Sequence, residues 1–392
     1  MEFKSKVENA TEIFNLRISR RSPGIALVVH IVIFEKMLRI SSLYVIIIIS
    51  IFSESFASRT DISKSILQND ADGIKIRATV TVSKDGFGNF SRINDAIAVA
   101  PNNSNRDEGY FHIKIMEGIY EEYIVIDQKK SYLMMSGAGI NRTIITGNHN
   151  NVDGWGTSGS ATFTTSGSHF ICKYLTIRNM AGPTKGQAVA LLCNGDLSVF
   201  YRCSIEGYQD TLNVDRRKQF YRECDIYGTV DFIFGQAEVV LQKCNLYARR
   251  PNKGQGNEIT AQGRTDPKDK SGIVIQGCTI KPTNDLALSN YTVKTYLGRP
   301  WKDYSRTVVM QTYIDGFLEP AGWDKSSGEA LKTLYYAEYN NTGPGSNTTN
   351  RVTWPSYHII NATVASYFTV SSFIDGDSWI PQTKVPYIGG LV

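Results

Sequence analysis

A short pattern recurs along the middle of this 392-residue chain, apolar-x-x-Cys-x-Ile/Leu. It stands at Phe200–Ile205, Tyr221–Ile226, Leu241–Leu246 and Ile275–Ile280. Tyr174–Ile177 reads as an earlier copy with Leu175 in the cysteine position. Successive cysteines, Cys203, Cys224, Cys244 and Cys278, are 21, 20 and 34 residues apart. One strand-like run at intervals near 20 residues is the mark of stacked coils. A β-sandwich, the competing fold, turns every ~8–12 residues. The repeat therefore predicts an all-β fold, a parallel β-helix (solenoid). Helical periodicity is confined to Ser91–Ala100, where Ile93, Ala96, Ile97 and Ala100 share a face. This predicts a short N-terminal capping helix with Ser91 as N-cap and Pro101 as stop.

Strands on neighbouring coils lie ~4.8 Å apart, inside the ~4.4–6.8 Å Cα window of a disulfide. The expected pairs are Cys203–Cys224 and Cys244–Cys278, with Cys172 and Cys193 left over. A ladder of buried free thiols is the alternative that the same stacking permits.

The first 57 residues read differently. Apolar runs at Gly24–Phe34 and Ile40–Phe52 are split by charges, and each is short of the ~18–20 residues that span a bilayer. The second run follows Met37-Leu38-Arg39 and precedes Ser55-Phe56-Ala57, as in a signal peptide with cleavage after Ala57. Met37 is an alternative start, and a signal anchor is the competing reading. The expected organisation is an upstream extension and signal peptide over 1–57, a linker over 58–77 and the repeat-bearing domain over 78–392. Sequons at Asn89, Asn102, Asn141, Asn290, Asn340, Asn347 and Asn361 agree with secretion. Hydrophobic residues at 42% and charged residues at 20% exclude a disordered chain and a multi-pass membrane protein. A net charge of +5 is too mild for a dedicated nucleic-acid binder. The five histidines show no metal-ligand spacing, and no Gly-x-Ser-x-Gly elbow occurs.

The repeat also places two acids. Asp210 and Asp231 each stand seven residues after a repeat cysteine, so they occupy one position on consecutive coils. Two carboxylates ~5 Å apart repel by about 3 kcal/mol at an effective dielectric near 20. Such a pair splits into one ionised and one protonated member. Asp231 sits in the apolar Gly228–Gly235 and needs a partner, for which Arg299 in Leu297–Trp301 is the candidate. Gln187, read as part of an apolar strand, and Gln209 beside Asp210 carry amides that can donate to a developing oxyanion. Taken singly, the acids could be turn caps, Gln187 a ladder amide, Arg299 a surface ion pair and Trp301 a core residue.

In these residues and in further motifs the chain resembles plant-type pectinesterases (pectin methylesterases), carbohydrate esterases. The resemblance rests on Gly118–Glu122, Gly186–Leu191, Tyr208–Leu212, Gly228–Gly235, Thr260–Arg264, Leu297–Trp301 and Phe373–Trp379. It implies a right-handed parallel β-helix and hydrolysis of galacturonate methyl esters. It implies Asp231 as nucleophile, Asp210 as general acid then base, Gln187 and Gln209 as oxyanion donors and Arg299 as the group orienting Asp231. Thr157, Gln187, Phe234 and Trp301 would bind substrate. The implied chemistry uses no metal or cofactor. The implied partner is methyl-esterified homogalacturonan in the cell wall, with a proteinaceous inhibitor as a further partner, and the expected state is a monomer. Many members carry a long N-terminal inhibitor-like pro-region. The stretch from Ala57 to Ala78 is too short for one, so the chain is expected to lack it. Gln236 also stands where the family usually has Asn. The competing activities are a β-helix lyase or glycosidase acting on pectin, or a catalytically dead wall-binding protein.

Overall fold

In the computed structural model, the described residues are 68–69, 73–325 and 330–392. The expected signal peptide, its cleavage site and most of the linker lie outside the described residues. Strands stack into three sheets of 12, 8 and 7 strands, and each coil of chain gives one strand to each. One coil runs Ser198–Tyr201, Ser204–Glu206, Leu212–Val214, and the next runs Lys218–Arg222, Asp225–Gly228, Ile233–Gly235. Equivalent strands pair parallel and in register, as in Phe200↔Tyr221, Ile205↔Ile226 and Leu212↔Ile233. The fold is the expected parallel β-helix. Only the first pairing, Gln68–Asn69 with Lys75–Val82, is antiparallel among the described strands.

A sharp corner carries the chain from the first sheet to the second, and the repeat pattern is its imprint. The residue before each repeat cysteine has a left-handed backbone: Arg202 φ 51°, Glu223 51°, Lys243 55° and Gly277 60°. Tyr174 and Gln311 do the same, so Leu175 and Thr312 extend the cysteine column by one coil at each end. A left-handed non-glycine residue costs about 1–2 kcal/mol, which the stacked coils must offset. The side chain that follows points inward, and Leu175, Cys203, Cys224, Cys244, Cys278 and Thr312 are all buried.

The structure corrects the expected disulfides. Cys203, Cys224, Cys244 and Cys278 are free thiols, as are Cys172 and Cys193, and all are buried. Stacked side chains in a parallel ladder point the same way, which keeps their Cβ atoms at the strand spacing of ~4.8 Å rather than the ~3.8 Å of a disulfide. The thiols contact main-chain carbonyls instead: Cys224 Sγ is 3.4 Å from Phe200 O and Cys278 Sγ 3.3 Å from Leu241 O. Cys172 is not in this column. It lies in the first sheet against Phe200, and its Sγ is 3.9 Å from that of Cys203.

Inside the coils, β-branched and aromatic residues stack on their own kind, with Phe200 and Tyr221 rings parallel at 4.8 Å. The helix Ile93–Val99 closes the N-terminal end, burying Ile93, Ala96 and Ile97. Its cap differs from expectation. Ser91 makes no cap; Glu122 accepts from the amides of Ile93 (2.9 Å) and Asn94 (3.1 Å). The first sheet is apolar on its outer face too, through Val199, Phe220, Val240, Val274 and Val308. The C-terminal turns cover this face with Val370, Ile374, Trp379 and Ile380.

Candidate active site

Asp210 and Asp231 each sit two residues before a strand of the third sheet, and the register Leu212↔Ile233 sets them one above the other. Both have left-handed backbones, φ 62° and 50°. The Asp210 amide donates to Val230 O at 3.0 Å, locking the two turns together. The expected dyad is therefore built from consecutive coils.

Their environments differ. Arg299 donates from Nε to Asp231 Oδ1 at 2.9 Å and from Nη2 to Oδ2 at 2.8 Å. Arg299 follows the strand Thr295–Gly298, and its own amide donates to Thr260 O. Asp210 is buried and has no such clamp. Burial drives its carboxyl well above the usual range, the Asp231 charge adds to this, and Arg299 opposes it. Burial also raises Asp231, but hydrogen bonding and charge from Arg299 hold against that rise. The result is a clamped, ionisable acid beside a proton-retaining one.

Gln209 precedes Asp210 in the same turn, and Gln187 lies on the coil before it. Gln187 is not in a strand, because the loop after Pro183–Lys185 runs on to Leu191–Cys193. Gln209 O accepts from the Ala188 amide at 3.1 Å, and Gln187 O from Asn151 at 2.9 Å. Asn151 belongs to the loop that carries Thr157, and Ser160 of that loop accepts from the Val189 amide at 3.0 Å. Thr157 thus lies on the same side of the coils as the dyad. Neither glutamine side chain is bonded to another described residue, so both amides remain available to a ligand.

Beside the acids the third sheet presents an apolar floor of Ala161, Val189, Leu192, Phe234 and Ala261. Trp301 stands over it, 49% exposed, its ring edge-on to Phe234 at 6.1 Å. A Cβ on Gly263 would come within 2.5 Å of the indole, so only glycine lets Trp301 lie this close. Asp210, Asp231, Arg299, Phe234 and Trp301 thus share one face, whereas the four repeat cysteines lie inside the coils.

Three contributors were missed in the sequence. Arg249 donates to Tyr208 OH (2.8 Å) and Gly207 O (3.0 Å), and stacks over the Tyr208 ring, bracing the turn into Gln209-Asp210. Glu258 and Asp324 lie close enough to act on the Asp231–Arg299 pair. The signal for Glu258 was its place two residues before Thr260, matching Asp231 before Ile233. The extra loop between Ala248 and Asn257 hid that spacing.

Fold and site together define a parallel β-helix protein with a carboxylate dyad, one acid forked by arginine, above an apolar floor. The chain belongs to the pectinesterase family: residues 79–377 match the family model Pectinesterase. It is 66% identical over 330 residues to probable pectinesterase/pectinesterase inhibitor 20 of Arabidopsis thaliana, covering 84% of this chain and 59% of that one. It is 52% identical to pectinesterase 2 of Citrus sinensis, covering 80% and 61%. The pectin methylesterase from carrot superposes with TM-score 0.78 at 46% identity, covering 84% of this chain and all of that one (100%). The chain thus spans about three-fifths of the length of these two curated relatives (59% and 61%).

Proposed function

We propose that this chain is a secreted esterase that converts methyl-esterified homogalacturonan to pectate and methanol through an aspartyl acyl-enzyme. The observation that carries the reading is the asymmetry of the dyad, with Arg299 forked onto Asp231 and Asp210 left buried and unclamped. Asp231 attacks the ester carbonyl carbon. The oxygen becomes negative and takes hydrogen bonds from the Gln187 and Gln209 amides. The carbon–methoxy bond then breaks, and the proton of Asp210 goes to the departing oxygen, giving methanol. This leaves an anhydride between Asp231 and the sugar carboxyl. Asp210, now ionised, takes a proton from water, and the resulting hydroxide adds to the sugar acyl carbon. Collapse frees the galacturonate and Asp231, and Asp210 has its proton back.

Trp301 and the apolar floor supply a stacking surface for a sugar ring. Secretion is supported by the apolar run before Ala57 and by the sequon asparagines, which are all exposed among the described residues. No helix among the described residues is long and apolar enough to cross a membrane. We place the protein in the cell wall as a monomer, with pectin as substrate and a proteinaceous inhibitor as a further partner of the cleft.

The experiment is methanol release from highly methylated pectin, beside an Asp231→Asn control. Release that vanishes in the control, without shortening of the uronide chain, supports the esterase. Chain shortening would move the reading to a lyase or glycosidase, and release undiminished in the control would remove Asp231 as nucleophile.

A further inference from the structure

Arg299 has three acidic neighbours rather than one. Glu258 lies in the strand Asn257–Gln262, two residues before Thr260, and Thr260 pairs with Ile233. It therefore stands one coil beyond Asp231 in the column that Asp210 and Asp231 begin. It is 4% exposed, its Oε1 is 3.9 Å from Arg299 Nη1, and its Oε2 is buried without a hydrogen-bond partner. Arg299 spends Nε and Nη2 on Asp231, so Nη1 is the edge turned to Glu258. The other charged or titratable groups facing Glu258 are Asp231, Asp324 and Tyr296, the last its register partner on the next coil. Burial pushes the Glu258 carboxyl up to about 7; Arg299 opposes this, and Asp231 and Asp324 add to it. One guanidinium cannot neutralise three carboxylates, and the one without a hydrogen bond is the first to take a proton.

We propose that Glu258 is a positioning residue that competes with Asp231 for Arg299. While neutral it leaves the guanidinium fork on Asp231. Once ionised it draws Nη1 across the 3.9 Å gap, loosens the fork and adds negative charge behind the attacking carboxylate. This inference rests on the reading of Asp231 as nucleophile and extends it to regulation by pH.

The test is the pH profile of kcat/KM for methanol release by wild type, Glu258→Gln and Glu258→Leu, with Tm recorded at each pH. Gln keeps the size and removes the charge. Wild type is expected to fall by about three- to tenfold on a step near neutrality, and both variants to lack that step. A raised folded-state pKa in an acid means stability lost as pH rises through it. The Tm of Glu258→Gln relative to wild type is therefore expected to climb from pH ~5 to ~8. A carboxyl that does not act through Arg299 would give the same pH-dependent Tm yet leave the normalised kcat/KM profiles superimposed, and superimposed profiles overturn the proposal. So does a wild-type profile without a neutral step, whether or not the variants fold. Wild type that releases no methanol at any pH instead defeats the functional reading itself.

Discussion

Arg299 meets Asp231 with two nitrogens in one plane, and a lysine ammonium cannot reproduce that fork. Arg299→Lys is expected to lower kcat for methanol release by about 10²-fold with a smaller change in KM. Gln209→Ala, which removes a proposed oxyanion donor, is expected to cost about 10²–10³-fold in kcat. Steady-state assays on soluble pectin check both. Asp210 makes a prediction about stability. Its carboxyl is raised in the folded state, mainly by burial, so its contribution is most favourable in acid and is lost as pH climbs through the folded value. Asp210→Asn is therefore expected to melt above wild type at pH ~8, the gap closing toward pH ~4. At this scale the dyad was legible because both acids keep a fixed distance from a repeat cysteine. Gln187 was legible as a residue but not as a loop residue, because apolar neighbours alone do not separate a strand from a buried loop. Glu258 was hidden because an inserted loop breaks the count that exposes Asp231.

Single elements carry a different lesson. The helix Ile93–Val99 was visible from its apolar spacing, yet its cap was not, because the capping carboxylate comes from Glu122, 29 residues further along. Glu122 accepts from two main-chain amides and from Asn94 Nδ2; its removal leaves both amides without an acceptor, while Asn94 Nδ2 keeps Tyr123 O. Glu122→Ala is expected to cost about 2–3 kcal/mol in chemical denaturation, more than an ordinary exposed cap. The cysteine pattern was legible as a coil period and misleading as a disulfide plan. Spacing reports that two residues stack, whereas bonding depends on where their Cβ atoms point.

Across the whole molecule, the coils form one continuous apolar column that needs a cover at each end and along its first sheet. The C-terminal turns supply the cover along that sheet, with Gln242 and Gln276 side chains donating to Ile388 O and Gly390 O. Deleting residues 361–392 bares Val199, Phe220, Val240, Val274 and Val308 together, and the product is expected to aggregate on sizing chromatography. The six thiols, all buried, are expected to resist a thiol reagent until the chain unfolds, and reductant to leave Tm unchanged. The corner from first to second sheet keeps two residues in every coil from Lys173 to Tyr313. The passage from second to third sheet varies freely, from the two residues after Glu121 to the fifteen after Gly147. Over those coils a left-handed joint of fixed length acts as an indexing pin that keeps the cysteine column in step, whereas the earlier corner from Ser136 to Thr143 takes six residues and still delivers its strands in register. New sequence can therefore enter the passage that ends at the acids and leave the frame in step. A lineage built this way can remodel the loops beside its paired acids while the column that carries them stays put.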